Sequence, residues 1–210
     1  MKKIPCLFVR NFRSQFMFTL TPEVTLGCEW VLSGEGTASR KWDGTACMAR
    51  GGFLFARYDA KAGKTPPVGA IPCEPSPDSV PGHWPHWVPV AAAPQYCWHR
   101  AAWQIRNRDD GFTGAPLYEF HGATPAERLG FSDADGTYGL IGPKVGGNHE
   151  RQAQHVLKRH GDTVFTPVRT FGALHEFLRV TAIEGLVFAH PDGRMAKIRR
   201  HDFGFDWPVE

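Results

Sequence analysis

The sequence predicts an α+β fold in which antiparallel hairpins outnumber helices. Two observations carry the strands. Residues 46–50 and 53–58 are apolar and aromatic runs split by Gly51-Gly52, a pair that supplies the positive φ angles of a tight hairpin. Residues 183–189 and 194–200 repeat the arrangement around Pro191-Asp192-Gly193. The third observation is that helical patterning is confined to two short segments, 150–160 and 171–180.

Taken in order, residues 1–10 imitate the charged opening of a signal peptide. Arg10 and Arg13 cut the apolar stretch short and no small-residue cleavage site follows, which points to an intracellular, cytoplasmic protein. Residues 16–32 hold short apolar runs bounded by Thr21-Pro22 and Gly27, suggesting strands. Lys41 then falls in the loop that feeds the first hairpin. Residues 59–95 are rich in proline and glycine, but Trp84 and Trp87 argue for an ordered loop packed on the domain. Asn148 reads as the cap of a helix over 150–160, closed by Gly161, with His155 and His160 on its surface. A helix over 171–180 sets Phe171, Leu174, Phe177 and Leu178 on one face.

The last hairpin makes the sharpest statement. Strand alternation groups Glu184 with Leu186 and Phe188, and Lys197 with Arg199. A turn centred on Pro191-Asp192 sets residue 184 opposite 199, so that a carboxylate and two cations share a face. A one-residue shift would separate them.

Composition sets the bounds. A chain of 210 residues is sized for one domain, and its 42% hydrophobic and 21% charged residues suit a packed core. A net charge of +3 supplies no whole-molecule field for nucleic acid, so such contacts must come from local clusters. No apolar run approaches the ~20 residues of a membrane span. Cys6, Cys28, Cys47, Cys73 and Cys97 form no Cys-x-x-Cys pair, as expected of reduced thiols. No membrane and no obligate protein partner is expected.

The chemistry-bearing segments are Lys41-Trp42-Asp43-Gly44, Glu184-Gly185-Leu186-Val187 and Lys197-Ile198-Arg199-Arg200. A lysine nucleophile needs a free amine, and nearby cations and a divalent metal favour the neutral form. Lys197, Arg199 and magnesium would supply that. Asp43 is suited to hold the metal's water or orient the amine. Gly44 allows close approach of the backbone to a nucleotide.

These segments, in this order, resemble the superfamily of DNA and RNA ligases and capping enzymes. Arg57 sits where the second, basic motif is found, and Tyr138-Gly139-Leu140-Ile141-Gly142-Pro143-Lys144 resembles the third. More narrowly the chain resembles the single-domain 5′–3′ RNA ligase family. The segments that carry this are 82–90, Gln95-Tyr96-Cys97-Trp98-His99, 142–148 and Arg200-His201-Asp202-Phe203-Gly204-Phe205-Asp206-Trp207-Pro208. The resemblance covers roughly residues 35 to 210. It implies a nucleotidyltransferase core of two antiparallel sheets with flanking helices over 1–210, without an appended OB-fold domain.

The resemblance also implies an ATP- and magnesium-dependent joining of RNA 5′-phosphate and 3′-hydroxyl ends. Lys41 would attack the α-phosphate and carry AMP. Lys41, Gly44, Arg57, Tyr138, Gly139, Glu184 and Lys197 would bind the nucleotide, and Glu184 and Asp43 the metal. Lys197 would contact the α-phosphate. Arg57, Lys144, Arg199 and Arg200 would meet the RNA, with Arg199 on the pyrophosphate or the 5′-phosphate. One position departs from the pattern. The third motif carries a glutamate for the ribose hydroxyls where this chain has Gly139, so another acid, Glu35 or Glu119, takes its place or nucleotide binding is weakened. A non-catalytic RNA-end-binding homologue and a GTP-using capping-type enzyme are the alternatives.

Overall fold

The computed structural model describes residues 3–14, 17–77, 82–90, 94–109 and 135–209. In chain order the elements are β1 (Phe8–Phe12), β2 (Phe18–Val24), α1 (Glu29–Leu32), β3 (Thr37–Lys41), β4 (Thr45–Arg50), β5 (Phe53–Ala60), β6 (Ile71–Pro72), β7 (Trp84–Pro89), α2 (Cys97–Asp109), β8 (Gly136–Ile141), β9 (Val156–Arg159), β10 (Val164–Phe165), α3 (Phe171–Val180), β11 (Gly185–Ala189) and β12 (Met195–Arg199). The fold is α+β, with every pairing between these strands antiparallel.

The chain forms two compact units, Asp43–Arg159 with the first three residues, and Ile4–Trp42 with His160–Glu210. The first is built on a six-stranded sheet of order β6-β7-β5-β4-β8-β9. Its core holds Cys47, Leu54, Ala102, Trp103, Tyr138 and Leu140, so α2 covers the face to which Tyr138 and Leu140 point. Gly139 points to the other face, opposite Ala46 and Lys158.

The second unit carries a four-stranded sheet of order β10-β3-β11-β12 and the β1–β2 hairpin. Leu186 and Phe188 of β11 and Ile198 of β12 are fully buried, packed with Leu174 and Leu178 of α3. Burial of each such side chain contributes roughly 1.5–3 kcal/mol. Helix α3 forms as expected, because Thr170 accepts a hydrogen bond from Ala173 N and an apolar stripe finds the sheet. Alternation then leaves Val187, Lys197 and Arg199 on the opposite face.

Several expectations are corrected. Residues 150–160 are not a helix. Asn148 and Arg151 adopt φ of 56° and 50°, the Asn148 side chain brackets Gln152, and Val156–Arg159 pairs along β8 instead. Residues 84–89 are a sheet strand rather than a packed loop, and residues 29–32 form a helical turn rather than a strand. Helix α2 and strand β1 were not anticipated. No helix among the described residues is long and apolar enough to cross a membrane.

Candidate functional site

Lys41 is the last residue of β3, not a loop residue, and pairs across the sheet with Gly185. Its Nζ donates to both oxygens of Glu184, at 2.7 and 2.5 Å. The pair is largely shielded, with side chains 23% and 12% exposed.

The way Glu184 reaches Lys41 differs from the expected one. Gly185, not Glu184, stands opposite Arg199, so the hairpin is shifted by one residue. The added residue is in the turn, where His190 closes on Gly193 and Gly193 takes φ of +90°. Regular alternation would have turned Glu184 away. It escapes because it precedes the first residue of β11, so its side chain is free of the pleat. Gly185 is what lets the strands close here, since a Cβ on it would stand 2.3 Å from the Ile198 carbonyl oxygen.

Lys197 and Arg199 lie on the same face as Lys41. Burial, then the charges of Arg199, Lys41 and Arg10, push the Lys197 ammonium down to about 8. Arg199 donates through Nη2 to Asp202 Oδ1 at 3.0 Å and feels the charge of Glu184. Burial opposes the Arg199 charge, but the carboxylates prevail and hold it above its ordinary value.

The lowered Lys197 has a testable consequence. Below pH 8 the ammonium is charged in both folded and unfolded chains, and its burial among Arg199, Lys41 and Arg10 costs stability. Between pH 8 and 10.5 only the unfolded chain keeps the proton, so stability rises with pH. Lys197→Met is therefore expected to be more stable than the wild type at pH 7, by on the order of 1–3 kcal/mol, with the gap closing towards pH 10.5. Thermal melts of both proteins across that range check this. A gap that widens with pH would refute it.

Asp43 and Gly44 belong to the other unit. The Asp43 amide donates to Glu150 Oε1 at 2.9 Å, and His149 Nδ1 lies 2.7 Å from Asp43 Oδ2. Gly44 has a packing reason of its own: a Cβ there would meet the Leu140 carbonyl oxygen at 2.3 Å. Arg57 is engaged by Asp59 at 2.8 Å. Lys144 is exposed on the turn after β8. Tyr138, expected at the nucleotide, has its ring in the core, 1% exposed.

Arg200 is corrected outright. It is buried, with Nη1 on the carbonyls of Leu178 and Thr181 and Nε on Asp206 O at 2.8 Å, tying the end of α3 to the tail. Of the acids expected to replace the missing glutamate, Glu35 is held by His190 at 3.1 Å, and Glu119 lies outside the described residues.

Sequence reasoning missed Arg10, Asp202, His149, Glu150 and His160. His160 is no surface residue; burial, then the Lys41 charge, press its imidazole down to about 4, leaving it neutral at pH 7. No periodic signal could have found it, since the helix assumed there does not form. Asp202 lay in the tail segment already singled out.

A family profile described as RNA ligase 1 matches residues 67–210. This chain belongs to the RNA ligase 1 family. Among similar proteins, one named RNA ligase 1 from Danio rerio is 32% identical over 148 residues, covering 61% of this chain and 43% of that protein. The Mus musculus protein of the same name is 26% identical over 274 aligned positions, covering 99% of this chain and 82% of that protein. A Rattus norvegicus RNA ligase 1 aligns at 26% over 277 positions, with the same coverage. The Danio rerio alignment thus spans less than half of that relative. Gly139, Glu184, Lys197 and Arg199 fall inside the family match, whereas Lys41, Asp43, Gly44 and Arg57 precede it.

Proposed function

We propose that this chain is an ATP-dependent RNA ligase with the nucleotidyltransferase core, joining 5′-phosphate and 3′-hydroxyl ends through a lysyl-AMP intermediate. The observation that carries this is one ion pair and its surroundings. Lys41 and Glu184, 143 residues apart, meet at 2.5 Å, and Lys197 and Arg199 flank them on the same sheet face.

The Lys41 amine must lose its proton before it attacks, and the Glu184 carboxylate lies within reach to accept it. Nζ then bonds to the α-phosphorus of ATP while the bond to the bridging oxygen breaks, and pyrophosphate leaves with the electron pair. Lys197 and Arg199 neutralise charge on the phosphoryl oxygens, which is the main demand of in-line transfer. AMP passes next to an RNA 5′-phosphate, and an RNA 3′-hydroxyl displaces it.

The donor set suits magnesium. Glu184 already holds a cation, the ammonium, with both of its hard oxygens, and this ion takes one or two carboxylates together with substrate phosphates. Glu184 would hold it, and it would neutralise charge on the phosphates. Arg57 and Lys144 are proposed for RNA.

The test is incubation of the full chain with labelled ATP, GTP or dATP and magnesium. An acid-labile AMP adduct on the protein is the expected result. An adduct with GTP alone would make the chain a capping-type enzyme. No adduct with any nucleotide would overturn the ligase reading in favour of an RNA-end-binding protein, the alternative that Gly139 favours.

A further inference from the structure

We infer that Arg10 is a phosphate-binding residue, paired with Arg199 on the Asp202 carboxylate to form a double guanidinium anchor for the phosphate of a nucleotide or of an RNA end. The inference deepens the ligase reading and rests on it for the identity of the substrate. Arg10 precedes every motif from which the site was read.

The placement is rigid. Residues 5–7 run beside β12, with Leu7 N on Lys197 O at 2.7 Å and Lys197 N on Pro5 O at 2.9 Å. This carries β1 past the site. Arg10 Nη2 donates to Asp202 Oδ1 at 2.7 Å, the same oxygen that takes Arg199 Nη2 at 3.0 Å. The Asp202 side chain is fully buried, so it fixes both forks without competing for water. The Arg10 guanidinium also lies 5.0 Å from the centre of the Phe18 ring, which orients its plane.

Among the described residues the charges do not balance. Arg10, Arg199, Lys197 and Lys41 share the carboxylates of Asp202 and Glu184, and Glu184 is already taken by Lys41. Four cations thus face two carboxylates among the described residues, with Asp202 taking both guanidiniums and Glu184 holding Lys41 while also acting on Arg199. Burial first, and then the charges of Arg199, Lys41 and Arg10, lower the proton affinity of Lys197. Arg10 remains 21% exposed, and its Nε makes no hydrogen bond among the described residues. A planar fork with an unpartnered, buried Nε–H beside a second fork is an arrangement suited to a phosphate held by charge-assisted hydrogen bonds.

The experiment uses the full chain with wild-type, Arg10→Gln and Arg10→Lys proteins. Fluorescence anisotropy measures binding of one RNA oligomer bearing either a 5′-phosphate or a 5′-hydroxyl, and its displacement by inorganic pyrophosphate. Arg10→Gln is expected to lose about 10-fold or more in affinity for one phosphate source, the range of a charged hydrogen bond. Loss of the preference for phosphorylated RNA assigns Arg10 to the RNA end. Loss of displacement by pyrophosphate assigns it to the triphosphate. Arg10→Lys keeps the charge on Asp202, is expected to melt as the wild type does, and still to bind phosphate several-fold more weakly because an ammonium lacks the fork. The inference is overturned if Arg10→Gln binds both probes as the wild type does. Equal weakening towards the 5′-hydroxyl RNA, or wild-type binding by Arg10→Lys, would also overturn it. Failure of the wild type to form an AMP adduct would refute the ligase reading alone, and the binding data would still judge Arg10.

Discussion

Replacing Lys41 with alanine is expected to reduce AMP transfer onto the protein to background, the largest effect of any single change. No other group is placed by this reading to form the phosphoramide bond. The chain should still fold. Lys41 ends a strand rather than filling the core, and Arg199 is near enough to Glu184 to offset part of the lost charge. The cost is expected at about 1–3 kcal/mol, that of a partly shielded charged hydrogen bond. Lys41→Arg is the sharper control. It keeps the cation on Glu184 and hence the fold, yet a guanidinium stays protonated and cannot attack. Gel detection of labelled AMP on the protein, with a melt of each variant, checks both statements. An adduct formed at the wild-type rate by either variant would sink the assignment of Lys41.

Gly139→Glu is expected to act in the opposite direction, tightening ATP and creating a preference for ribose over deoxyribose. A carboxylate accepting from a buried ribose hydroxyl contributes about 1.5–3 kcal/mol, or roughly one to two orders of magnitude in affinity. Gly139 is buried, so a melt of the variant accompanies the binding measurement. Gly139 lies in the interior of β8, where the backbone is extended, and it points away from the core filled by Tyr138 and Leu140. The new side chain would stand opposite Ala46 and Lys158. Titrations with ATP and dATP read the outcome. Unchanged affinity and selectivity would mean that an acid elsewhere already serves the ribose. Glu119 is then the first to replace, because Glu35 is committed to His190.

What the sequence determined by itself is local. Thr170 and the stripe of Phe171, Leu174, Phe177 and Leu178 specify α3, because a cap and a 3.6-residue period are properties of ten neighbouring residues. The Gly51-Gly52 and Pro191-Asp192-Gly193 turns specify their hairpins for the same reason. The motif order also held enough information to bring together Lys41, Glu184, Lys197 and Arg199. What only the tertiary structure decided depends on partners far along the chain. Residues 156–159 sit in a segment with helical patterning, yet they became a strand because β8 offered an edge and Leu157 a place against the core. The register of β11 on β12 turned on one residue in the turn, which alternation alone could not fix. Tyr138 went into the core and Arg200 under α3 because burial is settled by which face another element covers. Nothing in the sequence pairs Arg10 with Asp202, 192 residues away; they meet only because residues 5–7 run beside β12.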